Sequence, residues 1–419
     1  MTGKIYVIGL DGIPPRRLES AVERGDVPNL ERAMDCVSGK TVSTNPPLSM
    51  LAWSTFATGQ DAGKHGIYNF MLRDEGKYTT HFPSYARLRS NSTPLWEYLD
   101  AVDVGSGVMN LMPGYPPSRS KGFHIGDNVT SPNGSSFIHP RDLSEEIEQE
   151  VTKYELEPVT SYSRGKSESV LQEYLDSLFG MEQDRTEIGK YLIQNKDCQV
   201  FTYIFLGPDS LQHSLGHLLD ENHPEYNTEL AEKYGDKFFE LLSIYDEFIG
   251  WLMEYMNEDD ILMVLSDHGH GSVKREINLN SWLYQNNYLH FRTHPWTKLK
   301  LFGYNHVFEA TKYTLKKSNL LNPIKKFLTT REVNDDDDQD SDSSNTDTNS
   351  RDLKDMLTVS HLDYDWSSTK AYTIASGGQI FLNTEEKHEE GWITTEYERI
   401  CNELVASQSG LEFASGALN

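Results

Sequence analysis

Three short apolar runs along the chain each end in a cluster of polar residues. The runs cover residues 4–10, 199–206 and 260–265, and they do not alternate between apolar and polar positions, which is typical of strands buried on both faces of a sheet. Residues 228–257 carry apolar side chains at spacings of three and four, which predicts a helix. Strands separated by helices predict an α/β fold with a mostly parallel central sheet and helices on both faces.

Outside these runs the chain contains further helical patterns and one segment that cannot contribute to a core. Helices are expected near 141–153 and 167–194, and residues 370–382 predict a hairpin. Residues 334–352 are rich in Asp, Ser and Asn, and this composition predicts an acidic disordered loop.

The order of these patterns predicts one domain rather than several. We expect this domain to cover residues 1–419, and the alternative is a domain that is shortened at its C-terminus. Residues 71–165 and 290–365 are expected to be cap or insertion regions.

Composition and charge limit which partners the protein is expected to bind and where in the cell it is expected to lie. A formal net charge of -26 argues against binding to duplex nucleic acid or to an anionic membrane. The mean hydropathy is -0.58, and no run approaches the about 20 apolar residues that span a bilayer. The first apolar run leads directly into Asp11-Gly12, which indicates a buried strand rather than a signal peptide and predicts a cytoplasmic protein. The three cysteines form no CxxC pair, so a metal would be held by oxygen and imidazole.

The polar clusters that follow the three runs contain side chains suited to a metal site. Asp11 follows the first run, Asp209 and His213 follow the second, and Asp267 and His268 follow the third. The carboxyl ends of parallel strands meet at one edge of a sheet, and Asp and His bind zinc or manganese without thiolate. Taken singly, an Asp before Gly is commonly a turn residue and an Asp-His pair is commonly only hydrogen-bonded. The occurrence of all three clusters in one chain, together with a candidate nucleophile, favours a metal site.

Ser49 is that candidate nucleophile. Pro46 and Pro47 end an extended segment, Ser49 then falls in the first turn of a predicted helix, and Gly59 can terminate that helix. The positive end of a helix suits an alkoxide and a phosphoryl group. Ser49 could instead serve only as the N-cap of the helix.

These segments together resemble the type I phosphodiesterase/nucleotide pyrophosphatase branch of the alkaline phosphatase superfamily. The matching segments, in chain order, are GLDG at 9–12, PPLSMLAWSTFATG at 46–59, GKHGIYNF at 63–70, GPDSLQH at 207–213, SDHGHG at 266–271 and NLNSWLYQNNYL at 278–289. In this superfamily the nucleophile lies nine residues before the Thr of a Thr-Gly pair, and counting back from Thr58 reaches Ser49.

The resemblance implies two divalent metal ions, zinc or alternatively manganese, and a role for each matching residue. One ion would be bound by Asp11, Asp267 and His268, with Ser49 as its alkoxide ligand, and the other by Asp209 and His213.

Three further residues are less clearly placed by the resemblance. The family completes the second metal site with a His far downstream, and His388 is the candidate here. The family pattern is His-x-x-x-Gly, whereas Gly391 follows His388 one residue too early. His270 stands where relatives often have an aromatic residue, which places it beside the ligands rather than among them. Asn69 is a candidate substrate-binding residue and could equally be a turn residue.

The resemblance also implies the reaction. A phosphoseryl intermediate on Ser49 would hydrolyse a small phosphorylated substrate, with phosphodiesters or nucleotide pyrophosphates favoured over monoesters. Residues 49–53 lack the pattern from which sulfatases make formylglycine. The alternative is a shortened, non-catalytic relative that binds a phosphorylated ligand or partner.

Overall fold

The computed structural model describes residues 3–73, 80–132, 136–162, 166–273, 278–294, 297, 363–374, 378–383, 398–399 and 402. These residues form two compact units. Unit 1 contains most of residues 1–277, and unit 2 contains most of the chain from Asn278 onwards. No helix among the described residues is long and apolar enough to cross a membrane.

Unit 1 is built on a six-stranded sheet. Its strands are β1 (Ile5–Leu10), β4 (Ser106–Met109), β5 (Gly122–Ile125), β6 (Ile138–His139), β7 (Val200–Phe205) and β8 (Ile261–Leu265). The strand order is β6-β5-β4-β7-β1-β8, and every pair is parallel except β5 with β6. The short pair β2 (Leu72–Arg73) and β3 (Thr80–His81) is antiparallel and separate from this sheet. The predicted α/β class with a mostly parallel central sheet is confirmed.

Helices account for most of the rest of unit 1. They are α1 (Pro15–Arg24), α2 (Pro28–Met34), α3 (Ser49–Thr58), α4 (Ala62–His65), α5 (Tyr85–Asn91), α6 (Leu95–Ala101), α7 (Asp142–Glu150), α8 (Glu168–Asn195), α9 (Gly207–Leu215), α10 (Thr228–Tyr234) and α11 (Lys237–Tyr255). The three apolar runs are the strands β1, β7 and β8, as predicted, but β8 lies at the edge of the sheet and its residues are exposed or half-buried, so the expected burial on both faces is wrong for this strand. The helical pattern over 228–257 corresponds to two helices, α10 and α11, which are separated near Gly235.

Three strands of the central sheet come from residues 71–165, the range for which a cap or insertion was expected. β4, β5 and β6 extend the sheet outward from β7, so this part of the range lies in the sheet. Their sequences, such as SGVM and GFHI, are short and contain Gly, Ser and His instead of a continuous apolar run. Packing explains one of these small residues, because the ring of Phe123 fills the space that a Cβ at Gly107 would need.

The main core of unit 1 lies between the sheet and a layer of long helices. All six residues of β7 are buried, and α11 packs against α2 and α8. A second apolar cluster includes Met50 and Trp53 of α3 together with Trp96 and Ile204. Helix α3 is therefore held by buried side chains, and this fixes the position of its first residue.

Unit 2 is smaller among the described residues. It contains α12 (Leu279–Gln285) and the antiparallel pair β9 (Ala371–Tyr372) and β10 (Phe381–Leu382), which confirms the hairpin predicted over 370–382. Aromatic side chains dominate its core, and Trp366 packs edge-on against Tyr372. The acidic segment 334–352 and most of the range 290–365 lie outside the described residues.

Candidate active site

The candidate site lies at the carboxyl edge of the three strands β7, β1 and β8. Leu10 pairs with Phe205 and Gly9 pairs with Leu265, so the residues that follow these strands begin at the same level of the sheet. Asp11 comes directly after β1, and its main-chain N–H donates to the carbonyl of Phe205 at 3.0 Å. The parallel register therefore brings together side chains that are far apart in the sequence.

The turn after Asp11 needs glycine because the chain passes close to a second acidic residue. Gly12 has a φ of 71°, and a Cβ there would lie 2.7 Å from Oδ1 of Asp209. The main-chain groups of Gly12 join two other elements: its N–H donates to Oδ1 of Asp267 at 3.2 Å, and its carbonyl accepts from Gln212 at 2.7 Å. This turn thus links the segments that follow β1, β7 and β8.

Ser49 lies at the start of α3, as predicted, but it is not the N-cap. The capping position is Leu48, and no side chain caps this helix end. The Ser49 hydroxyl is buried, lies 3.2 Å from Oδ1 of Asp11 and lies 2.9 Å from Nε2 of His268. Gly59 ends the helix in the left-handed conformation, as predicted. The hydroxyl is therefore directed at the acidic cluster rather than at its own helix.

Asp11 is held from both sides by buried neighbours. The carboxylate is 1 % exposed, and its Oδ2 accepts a hydrogen bond of 2.7 Å from the indole N–H of Trp53, one turn after Ser49 on α3. Burial raises the pKa of Asp11 well above its usual value, and the nearby charges of Asp267 and Asp209 raise it further. The hydrogen bonds from Trp53 and Ser49 act in the opposite direction.

His268 presents a ring nitrogen to this cluster. Its Nδ1 lies 2.8 Å from the carbonyl of Gly269, and because a carbonyl only accepts, this contact places the proton on Nδ1. The lone pair of Nε2 then faces Oδ1 of Asp11 at 3.6 Å and Oδ2 of Asp267 at 3.4 Å. A His bound to a metal commonly donates its other ring N–H to a carbonyl in this way.

Asp209 and His213 lie one turn apart on α9, as their spacing predicts. Nε2 of His213 is 3.2 Å from Oδ2 of Asp209, and Nδ1 of His270 is 3.4 Å from Oδ1 of the same carboxylate. Burial alone would raise the pKa of Asp209, but the hydrogen bonds to His213 and His270 lower it below the usual value. The structure therefore brings His270 to Asp209, a contact that sequence reasoning did not anticipate.

The donor atoms at this edge fit a divalent cation. Two groups of side chains converge so that their ligand atoms lie within 4.8 Å of one another; they are Asp11, Asp209 and His268, and Asp209, His213 and His270. Oδ2 of Asp267 is buried and has no hydrogen-bond partner among the described residues, and burial raises the pKa of this carboxyl to about 6. Carboxylate oxygens and imidazole nitrogens that converge in this way are ligands that a divalent cation accepts.

Asn69 and His65 are not members of either group. Oδ1 of Asn69 accepts a hydrogen bond of 2.7 Å from the N–H of Phe70, a contact typical of a turn. His65 is buried; its Nε2 lies 3.2 Å from the hydroxyl of Thr55 on α3, and its Nδ1 accepts from the N–H of Ile67. His388 lies outside the described residues.

The fold and the site together define an α/β protein with a candidate metal centre and an adjacent serine at the carboxyl edge of a parallel sheet. The chain belongs to the type I phosphodiesterase/nucleotide pyrophosphatase family, which it matches over residues 5–388. A search of curated proteins gives no match.

Two solved structures illustrate how far the similarity extends. Phosphonoacetate hydrolase from Sinorhizobium meliloti 1021, in complex with phosphonoacetate, aligns with a TM-score of 0.42 and 13% identity over 70% of this chain and 65% of that chain. Murine ectonucleotide pyrophosphatase/phosphodiesterase 5 aligns with a TM-score of 0.39 and 15% identity over 70% of this chain and 64% of that chain. The chain thus spans less than two thirds of the length of either protein.

Proposed function

We propose that this protein is a metal-dependent hydrolase of phosphoric esters that acts through a phosphoseryl intermediate on Ser49. The observation that carries the proposal is the buried Ser49 hydroxyl, which lies at the start of α3 and within 3.2 Å of both Asp11 and His268. Membership of a family of phosphodiesterases and nucleotide pyrophosphatases supports the reaction class.

Two divalent ions, zinc or alternatively manganese, complete the proposed centre. Asp11, Asp267 and His268 would hold one ion near Ser49, and Asp209 and His213 would hold the other. When bound, such ions lower the pKa of the attacking hydroxyl and neutralise charge on the leaving oxygen. Oδ2 of Asp267, which has no hydrogen-bond partner among the described residues, and the Nε2 lone pair of His268, which faces Asp11 and Asp267, support this assignment.

The side chains and main chain of the protein supply the remaining steps. The oxygen of Ser49 forms a bond to phosphorus, and the bond to the leaving group breaks with its electron pair on the departing oxygen. The first N–H groups of α3 have no acceptor within the helix, and together with the helix dipole they favour the anionic phosphoryl group. Water then cleaves the phosphoserine ester and restores the hydroxyl.

We infer that phosphodiesters or nucleotide pyrophosphates are better substrates than monoesters. A monoester carries two free oxygens and more negative charge, so a site that prefers it gains from an added Arg or Lys. The hydrogen bonds and ion pairs of Asp11, Ser49, Asp209 and Asp267 with other described residues involve no Arg or Lys.

The test compares hydrolysis of bis-p-nitrophenyl phosphate and p-nitrophenyl phosphate by the metal-loaded protein and its Ser49→Ala variant. We expect Ser49→Ala to lower turnover about 1,000-fold or more, since the nucleophile is removed. Ser54→Ala is a matched control, because Ser54 is buried on the same helix and its hydroxyl donates to the carbonyl of Met50 instead of facing the site. Acid quenching during turnover should yield a peptide that carries one phosphoryl group on Ser49.

The outcomes separate the proposal from its alternative. Turnover that survives Ser49→Ala would contradict the phosphoseryl route, and a faster monoester reaction would contradict the substrate class. No turnover of either ester by the metal-loaded protein would favour a non-catalytic relative that binds a phosphorylated ligand.

A further inference from the structure

His270 occupies a position that complements the Asp209–His213 pair. Its Nδ1 approaches one oxygen of the Asp209 carboxylate at 3.4 Å, while Nε2 of His213 approaches the other at 3.2 Å. The two imidazole rings are 5.0 Å apart between centroids and meet at 84°, so they converge from different directions. The three side chains thus surround a common space rather than forming a linear chain of hydrogen bonds.

The His270 ring lies close to the end of α9 as well as to Asp209. Gly216 ends α9, and a Cβ at this residue would lie 3.5 Å from Nε2 of His270. The ring therefore lies beside the end of the helix that carries Asp209 and His213, with only 19% of its side chain exposed. Its Nδ1 is directed to Asp209. In the neutral tautomer that carries the proton on Nε2, this Nδ1 has a lone pair that can bind a metal ion.

The distances between the side chains are those expected for ligands of one ion. An N–H···O hydrogen bond has a usual length of about 2.9 Å, and the contact between His270 and Asp209 is longer, at 3.4 Å. Nitrogen and oxygen ligands of one tetrahedral zinc ion lie about 3.4 Å from each other, because each bond is about 2.0–2.1 Å. Both contacts to Asp209 are close to this separation.

We propose that His270 is the third protein ligand of the divalent ion bound by Asp209 and His213. This inference rests on the metal centre of the proposed function and completes it without the downstream His for which His388 was the candidate. One carboxylate and two imidazoles leave one position open, which is the arrangement of a catalytic zinc site with three protein ligands. His270 then contacts the ion directly instead of only lying beside the ligands.

The test measures metal stoichiometry rather than activity. The protein is stripped with a chelator and titrated with Zn²⁺, and bound metal is counted after dialysis for the wild type, His270→Ala, His270→Gln and His388→Ala. We expect two ions for the wild type and for His388→Ala. Both His270 variants should keep one ion and bind the second about 100-fold or more weakly. The retained ion at Asp11 and His268 reports that the variants are folded.

Each other outcome overturns the inference in a recognisable way. The Gln side chain retains an amide N–H that can donate to Asp209 but is a poor zinc ligand. Two tightly bound ions in His270→Gln would therefore show that His270 only orients the carboxylate. Loss of one ion in His388→Ala would show that the downstream His is the ligand. A wild type that binds no Zn²⁺ would instead contradict the metal centre of the proposed function, and the inference with it.

Discussion

His124 of β5 is a buried histidine whose surroundings should make the stability of the protein depend on pH. Its side chain is 1% exposed and packs edge-on against Trp96 and Tyr85. Nδ1 accepts a hydrogen bond of 3.1 Å from the N–H of Ser118, so a second ring proton would break this bond. Burial, followed by repulsion from His139, lowers the pKa of His124 from 6.5 to about 3.

The sign and size of the effect follow from this shift. The folded chain keeps His124 neutral where the unfolded chain would protonate it, so the unfolded state binds more protons between about pH 6.5 and pH 3. The stabilising contribution is fully present above this window and is lost as the pH falls through it. Between pH 7.5 and pH 5.5, the two pKa values give a loss of about 1.4 kcal/mol.

The assay is urea unfolding at pH 7.5 and pH 5.5, both above the sequence pI of about 4.9. His124→Asn keeps an oxygen that can accept from Ser118 but does not titrate, so its free energy of unfolding should fall by about 1.4 kcal/mol less than that of the wild type over this interval. A difference between the wild type and His124→Asn below about 0.5 kcal/mol would refute the reasoning.

Two further predictions concern a buried hydrogen bond, from Trp53 to Asp11, and a buried ion pair, between Glu182 and Arg185. Trp53→Phe removes the N–H that donates to Asp11, so we expect zinc affinity at Asp11 to fall about 10-fold or more in a titration, since such a bond contributes about 1.5–3 kcal/mol. Unchanged affinity would show that the indole only fills space. In the wild type the buried guanidinium of Arg185 lies 2.7 Å from the carboxylate of Glu182. Glu182→Gln removes this charge partner and should lower the free energy of unfolding by about 3–5 kcal/mol. Tyr245→Phe, which removes only a hydroxyl donor to Glu182, should cost about 1 kcal/mol, and equal losses in the two variants would contradict the role of the charge.

The strands that carry the candidate site could be predicted from the sequence because each is a continuous apolar run. β1 and β7 lie inside the sheet and are buried, which requires apolar residues on both faces, whereas β8 is apolar although it lies at the edge of the sheet and its residues are exposed or half-buried. The position of Ser49 was predictable for a similar local reason, since two prolines and Gly59 bound the helix that begins there. Local chemistry thus determines which residues follow the strands and where α3 begins.

The contact of His270 could not be predicted, because it depends on how a glycine-flanked loop folds. His270 and Asp209 are 61 positions apart, and Gly269 and Gly271 allow several paths for the chain between them. The only sequence signal is the second His two residues after His268. Strands β4 and β5 were missed for a different reason, since their burial depends on fitting small residues around Phe123 rather than on an apolar run.

The core of unit 1, rather than the contacts within the site, keeps the three carboxylates together. The charges of Asp267 and Asp209 raise the pKa of Asp11, and the charge of Asp209 raises the pKa of Asp267. The three residues lie between 58 and 256 positions apart along the chain. No local segment can position them, so the site forms only when β7, β1 and β8 have paired. Each of these strands is five or six residues long, and burying one apolar side chain contributes about 1.5–3 kcal/mol. The burial of β1 and β7 therefore offsets the repulsion among the carboxylates at the ends of the strands.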